Sequence, residues 1–224
     1  MSRMCLAGSP LEMLKGPRIS DAALQAKEIA AGLDKPLIVQ YFVWLWQLLQ
    51  GNLGYSMKSY EPVGVMIGSH IGPTLLLMGA SLALSLLIAV PAGIYSAVKQ
   101  YSKGDYAVVT VSFIGSSIPS FFLALILIYI FTVKLGILPS GGMNTLGMDG
   151  SVADTIRHMV LPVTVLAVSL AGSNIRYIRS SFLEILQQDY LRTARAKGIG
   201  YKRVIWKHAM RNALLPIVTV IGMQ

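Results

Sequence analysis

Residues 73–98, PTLLLMGASLALSLLIAVPAGIYSAV, decide the fold class of this chain because they form a long run without a charged side chain. A helix needs about 20 apolar residues to cross roughly 30 Å of hydrocarbon, at about 1.5 Å per residue. Residues 106–133 and 158–178 are two further runs of sufficient length, and Arg176 is the only Lys, Arg, Asp or Glu in either. The sequence therefore predicts an all-α protein, a polytopic bundle of transmembrane helices.

The composition agrees with a membrane protein and argues against a nucleic-acid-binding one. Hydrophobic residues make up 54% of the 224 residues and charged residues only 13%, whereas soluble domains carry about 25% charged residues. The net charge is +9, but 9 of the 19 Lys and Arg residues lie between Arg176 and Arg211, beside apolar runs. They are not interleaved with aromatic residues as in surfaces that stack bases. We therefore expect no nucleic-acid partner.

The distribution of cations predicts the orientation in the bilayer. The 99–105 turn holds Lys99 and Lys103, and the 176–212 stretch holds nine cations, whereas the 134–157 loop holds only two. Because cytoplasmic segments are enriched in Lys and Arg, the first two are expected in the cytoplasm and the loop outside.

Two domains are expected, an extracytoplasmic or interfacial helical segment over residues 1–70 and a transmembrane domain over residues 71–224. The fourth apolar run of the transmembrane domain, residues 213–224, is too short to cross a bilayer. It predicts a truncated span that follows a cytoplasmic loop over residues 180–212.

The N-terminal segment contains two predicted helices. ISDAALQAKEIAAGL, residues 19–33, has a start signal at Ser20 or Asp21 and a stop signal at Gly32. An aromatic-rich run of about 14 residues then ends before Gly51 and is too short to span a bilayer. Such a helix suits the membrane interface or the surface of other helices.

The second apolar run is interrupted by the sequence GSSIP, residues 115–119. Proline removes a backbone donor, and serine hydroxyls can bond the carbonyls that it leaves free. Two interpretations stay open, a plain proline kink and a lining of a transport path. The candidate lining residues are Gly115, Ser116, Ser117 and Pro119.

A basic insert, DYLRTARAKGIGYKRVIWKHAMRNALLP over residues 189–216, separates the third and fourth apolar runs. Its pattern predicts a short helix with Asp189 as N-cap and Gly198 at the left-handed position after its end. A second helix over residues 201–212 then places Arg203, Lys207 and Arg211 on one stripe, with Tyr201, Ile205 and Ala209 opposite. On pattern alone the insert is a topology-determining loop, an amphipathic surface helix or a docking element.

Residues for catalysis or metal binding are not apparent in the sequence. Cys5 is the single cysteine, and His70, His158 and His208 have no neighbours at metal-ligand spacing. The chain contains no GxxxxGK[ST] phosphate loop and no nucleophile–base pair at workable spacing. We expect no catalytic residue, no metal and no cofactor.

The insert also resembles a known family. RTARAKG, residues 192–198, is similar to the EAA loop of ATP-binding-cassette importer permeases with a MetI-like transmembrane domain, in the version of the dipeptide, oligopeptide and nickel group. LEILQQDYLRTARAKG, residues 183–198, is the most specific match, and the similarity covers about residues 30–224. Arg192 and Thr193 stand where the general pattern has Glu and Ala, and Arg211 where it has Pro, departures that are usual in the peptide group.

The resemblance implies that the insert is a cytoplasmic coupling helix that docks on an ATPase. Its coupling residues would be Asp189, Tyr190, Arg192, Thr193, Ala194, Ala196 and Gly198. The implied partners are two ATP-binding-cassette ATPase subunits, a second homologous permease subunit, an extracytoplasmic solute-binding protein and the lipid bilayer. The implied function is alternating-access import in a bacterial or archaeal plasma or inner membrane.

The family has about six spans, so the resemblance implies a bundle that lacks the first span and the last two. Peptide, nickel and glutathione permeases are alike at this level, so the solute stays open. A secondary transporter and a membrane scaffold without an ATPase partner are the alternative functions. The three long apolar runs carry no Asp or Glu, which argues against transport driven by an ion gradient.

Overall fold

The computed structural model describes residues 35–56, 58–59, 61–147 and 150–222. Within these ranges the chain is helical, and its only β-type pairing is an isolated bridge between Tyr55 and Pro62. The chain divides into two compact units, Met1–Gly72 and Pro73–Gln224. The helix predicted over residues 19–33 lies outside the described residues.

Helix α1, Leu37–Leu49, is the helix predicted before Gly51. It begins after Pro36, whose fixed φ suits a helix start, and ends beside Gly51, which has φ +80°. None of its residues is buried; Leu37 and Trp46 are 82% and 64% exposed. The predicted helix is therefore confirmed, and its residues are exposed or half-buried.

The remaining helices follow along the chain with short connections. They are α2 (Val63–Val98), α3 (Lys103–Ser117), α4 (Ser120–Leu127) continued by a π-helix (Ile128–Lys134), α5 (Val152–Leu186), α6 (Asp189–Ala196), α7 (Tyr201–Arg203) continued by a second π-helix (Val204–Ala209), and α8 (Met210–Ile221).

Helices α2 and α5 are each long and apolar enough to cross a membrane. The apolar runs 73–98 and 158–178 lie within them. The described chain therefore has two membrane-length helices, or three if α3 and α4 with its π-helical continuation form one broken span.

Residues 106–133 do not form one continuous helix. Helix α3 and the helix Ser120–Lys134 are bent by 94° at the GSSIP sequence. The residue before a proline is driven from helical to extended backbone, and Ile118 has ψ 124°. Pro119, with ψ 130°, then starts a new helix, because Phe122 N–H bonds its carbonyl at 3.0 Å.

Helix α5 is the centre of the second unit and packs against α2 and α3 through glycines. A Cβ on Gly93 of α2 would lie 2.8 Å from Ile178, and one on Gly172 of α5 would lie 2.5 Å from the Ser112 carbonyl of α3. Small residues let membrane helices approach this closely. Among the small residues of α2, Ser81, Ser85 and Ala89 are buried, whereas Gly79 and Ala83 are exposed.

The main hydrophobic core lies where the insert meets α2 and α5. Phe182, Leu191 and Val204 are fully buried there. The remaining buried members of this core are Ala89, Ile94, Ala97, Ile175, Ile178, Ala194, Ile205, Ala209, Ala213 and Ile217. The insert is thus part of the core of this unit.

Candidate functional site: the insert and the helices it contacts

The insert begins with α6, whose start differs by one residue from the prediction. Gln188 occupies the N-cap position with extended backbone (φ −69°, ψ 141°) and makes no side-chain capping bond. Asp189 is therefore the first helical residue and not the cap. Its carboxylate still lies in the first turn, where the helix dipole favours negative charge.

The end of α6 has the geometry that the sequence predicts. Gly198 has φ +77°, and its N–H bonds the Arg195 carbonyl at 3.0 Å. Ile199 N–H bonds the Ala194 carbonyl at 3.3 Å, which completes a Schellman motif. A side chain at the left-handed position would be strained, so Gly198 sets the bend to the next helix.

The inner face of α6 fastens the insert to the core. Leu191 is fully buried and Ala194 is 8% exposed. Both belong to the same hydrophobic cluster as Phe182 of α5 and Ala97 of α2. Ala194, one of the predicted coupling residues, therefore takes part in internal packing in the described chain.

The outer face of α6 is polar and basic. The predicted coupling residues other than Ala194 are all exposed: Asp189, Tyr190, Arg192, Thr193, Ala196 and Gly198. Arg195 and Lys197 are exposed beside them. The structure thus brings six of the seven predicted residues to one surface, which also carries four cations within residues 192–202.

The second arm of the insert is helical, but its winding differs from the prediction. Arg203, Lys207 and Arg211 are exposed, as the predicted stripe requires, and Ile205 and Ala209 are buried. Tyr201, however, is 55% exposed and Val204 fully buried. Tyr201 lies in the first turn of this arm, before the π-helix Val204–Ala209 begins.

A polar junction joins three helices next to the insert. Arg179 of α5 forms a bidentate ion pair with Asp105 of α3, with Nε–Oδ1 at 2.8 Å and Nη2–Oδ2 at 2.9 Å. Ser96 of α2 donates to the same carboxylate, and Tyr101 N–H bonds it at 2.9 Å. Because Asp105 is only 2% exposed, this pair is well shielded and ties α2, α3 and α5 together.

The candidate lining residues lie at the break between α3 and α4. Gly115 and Ser116 are half-buried, and Ser117 and Pro119 are exposed to differing degrees beside them. Ser116 Oγ donates to the Phe113 carbonyl at 3.1 Å, as expected for a serine near a broken helix. Ser116 Oγ also accepts a hydrogen bond of 2.8 Å from Nη1 of Arg176.

A cavity of about 470 Å³ lies beyond the break, between α4, residues 139–142 and the first half of α5. Its wall is mostly apolar and includes Phe121, Leu161 and Val165, with the buried His158 on one side. The Nδ1 atom of His158 lies 2.9 Å from the Asp154 carbonyl oxygen. This end of the unit therefore has open volume where the insert end has a packed core.

The sequence reasoning missed the Asp105–Arg179 pair and the contact of Arg176 with the break. Both join residues more than 50 positions apart, so no local pattern reveals them. The signal for both contacts in the sequence was the presence of Arg176 and Arg179 at the end of the third apolar run. Among the described residues, no group of three or more His, Cys, Asp or Glu side chains is placed to hold a metal ion.

Comparison with known proteins places this geometry in context. The family model described as a binding-protein-dependent transport system inner membrane component matches residues 89–224. A protein of Brucella ovis named as a peptide permease is 47% identical over 218 residues, which cover 96% of this chain and 68% of that protein. The oligopeptide transport system permease protein AppB of Bacillus subtilis is 43% identical over 218 residues, covering 97% and 69%. The di/tripeptide transport system permease protein DppB of Pseudomonas aeruginosa is 39% identical over 238 residues, covering 98% and 71%.

Proposed function

The chain belongs to the family of binding-protein-dependent transport system inner membrane components, and from this membership we propose that it couples ATP hydrolysis on partner subunits to the import of peptides. It is a permease subunit of an ATP-binding-cassette importer and not an enzyme. The names of its relatives support peptides as the solute class, because AppB and DppB are named for oligopeptides and for di- and tripeptides.

One observation carries the coupling proposal: α6 is fixed to the core by one face and exposes the other. Leu191 and Ala194 belong to the buried cluster that also contains residues of α2 and α5. Tyr190 is 41% exposed on the outer face, among Arg192, Thr193 and Ala196. A partner that grips this outer face can therefore move the ends of two membrane-length helices.

The mechanism follows from how the insert is attached. When two ATPase subunits bind ATP and close together, they displace α6. The packed core then transmits this displacement to α5. The Asp105–Arg179 junction makes α3 follow, because its ion pair and hydrogen bonds link the three helices. The bundle then opens toward one side of the membrane and afterwards toward the other, which is alternating access.

The proposed assembly consists of two ATPase subunits, a second permease subunit and an extracytoplasmic binding protein that delivers the peptide. The proposed location is the plasma or inner membrane of a bacterium or archaeon. The insert faces the cytoplasm in this arrangement, because the basic stretch 176–212 satisfies the positive-inside rule.

The experiment replaces a small residue on the outer face by a bulky one. Ala196→Trp is made in the importer assembled in its membrane, and Ala153→Trp, at another exposed helical alanine far from the insert in sequence, is the matched control. The measurements are the amount of ATPase that co-purifies and the ATP-dependent uptake of a labelled oligopeptide. We expect Ala196→Trp to lower both about tenfold, since one steric clash of about 1.4 kcal/mol in binding is a factor of ten.

The control Ala153→Trp should retain both the ATPase and the uptake. If Ala196→Trp also retains them, the outer face of α6 is not the docking surface. If the unmodified importer takes up no peptide at the expense of ATP, the proposed solute class is wrong.

A further inference from the structure

The guanidinium of Arg176 lies deeper in the helix bundle than its position in the sequence indicates. Side chains on an α-helix lean toward its N-terminus, so that of Arg176 covers the turn around Gly172. Its Nη1 atom donates to Ser116 Oγ at 2.8 Å and to the Ser112 carbonyl at 3.3 Å. A Cβ on Gly172 would meet the same two serines at 2.5 and 3.0 Å. The charge therefore lies level with Gly172, inside the apolar run 158–178.

The groups that hold this guanidinium are neutral. Besides the two serine oxygens, it stacks over the ring of Phe113 at 4.8 Å. Among the described residues, no Asp or Glu forms a salt bridge with Arg176, and only its Nη1 donates hydrogen bonds. Arg179, one turn further along α5, uses Nε and Nη2 to bind Asp105.

The difference between these two arginines indicates different uses. Arg179 is neutralised by a carboxylate and serves the structure. Arg176 is held in place by one nitrogen, while its Nε and Nη2 atoms keep their donors without a partner in the described chain. Ionisable side chains within membrane segments are costly and typically mark a substrate or ion pathway.

The chemistry of the free donors identifies the ligand class. Two parallel N–H groups of a guanidinium match the two oxygens of a carboxylate. We propose that Arg176 binds a carboxylate of the transported peptide at the break between α3 and α4, and that Ser116 positions its guanidinium. This inference rests on the proposed function, because peptides carry a carboxylate at their C-terminus.

A lipid phosphate is the other anion that such a group can bind, but the geometry favours the solute. The guanidinium reaches away from the basic end of α5 and toward the GSSIP break at residues 115–119. By the positive-inside rule, lipid headgroups are expected at the opposite, basic end of this side chain, near Arg179 and the insert. Arg176 is also half-buried between α5 and α3.

The test compares two forms of one tripeptide, one with a free C-terminal carboxylate and one with a C-terminal amide. Their uptake is measured in the same membrane vesicles that contain the complete importer, and the ratio of free acid to amide is the readout. Arg176→Gln should lower this ratio about tenfold, because the charged fork is lost. Arg176→Lys keeps the charge without the fork and should lower it less, and Ser116→Ala should lower it by about threefold.

Lys99→Gln is the matched control, because it removes an exposed cation outside the apolar run and should leave the ratio unchanged. Damage to the fold lowers the uptake of both peptides equally, so it does not alter the ratio. If Arg176→Gln leaves the ratio of free-acid to amide uptake unchanged, the inference is wrong. The same result is expected if another component selects the carboxylate before the peptide reaches the permease. A different result would contradict the proposed function itself: the unmodified importer would take up neither peptide when ATP is supplied. If the fall in the ratio disappears when the lipid composition of the vesicles is changed, Arg176 binds lipid headgroups and the inference is also wrong.

Discussion

The two ends of the second unit are built differently. The insert end, where α6 and the second π-helix meet α2 and α5, has a packed core around Phe182 and a shielded ion pair between Asp105 and Arg179. The loop end, where α4 and residues 139–142 face the start of α5, has a helix bent by 94° and a cavity of about 470 Å³. In the proposed mechanism, the insert end moves as one body and the loop end changes shape.

The largest expected effect comes from removing one aromatic ring at each end. Phe182→Ala should lower the free energy of unfolding by about 3–5 kcal/mol, because the ring is fully buried and leaves a cavity. Phe121→Ala should cost less than about 1 kcal/mol, because that ring is 68% exposed. SDS-induced unfolding of the purified subunit in mixed micelles measures both. Equal losses would contradict the proposed contrast between the two ends.

A smaller difference is expected between two buried carboxylates. Asp105→Asn removes the charge that neutralises Arg179, and we expect a loss of about 2–4 kcal/mol from breaking a shielded pair. Asp154 at the loop end accepts from Thr145 N and Thr145 Oγ1, at 2.6 and 2.9 Å. Asn can keep one of these bonds, so Asp154→Asn should cost about 1 kcal/mol. The same unfolding assay ranks the two variants, and a reversed order would show that the loop end is the more constrained.

The smallest effect concerns the two glycines of the insert. A Cβ added to either Gly198 or Gly200 would have no neighbouring atom within 4 Å, so space does not separate them. Gly198 has φ +77°, whereas Gly200 has φ −60°. Gly198→Ala should therefore cost about 1 kcal/mol and misdirect α6, while Gly200→Ala should be neutral or slightly stabilising. Both variants are checked by the amount of ATPase that co-purifies and by the midpoint of unfolding. Similar values for Gly198→Ala and Gly200→Ala would contradict the proposed role of Gly198.

Several features of the fold were predictable because they depend on local chemistry. The length of an apolar run identifies a membrane helix, and α2 and α5 contain the runs 73–98 and 158–178. A glycine after a basic helical turn predicts its left-handed end, as Gly198 shows. The same local signals predict the order of helix, bend and helix that the insert adopts.

The features that could not be predicted depend on contacts with distant parts of the chain or on whether a segment adopts an α-helix or a π-helix. The direction in which Ala194 faces is set by Phe182 and Ala97, which the sequence does not place beside it. GSSIP is compatible with a shallow kink and with a sharp break, and the sequence alone does not distinguish the two. A helical wheel at 100° per residue also gives no sign of the π-helix Val204–Ala209.

The π-helix Val204–Ala209 has a consequence for how this protein can change over evolution. A π turn arises when a helix accommodates one extra residue, and it reverts to α winding when one residue is removed. Loss of a single residue between positions 204 and 209 would be absorbed there, with the helix on either side kept in phase with the core. Where related chains differ in length by one residue in this region, we therefore expect the gap to fall at this segment.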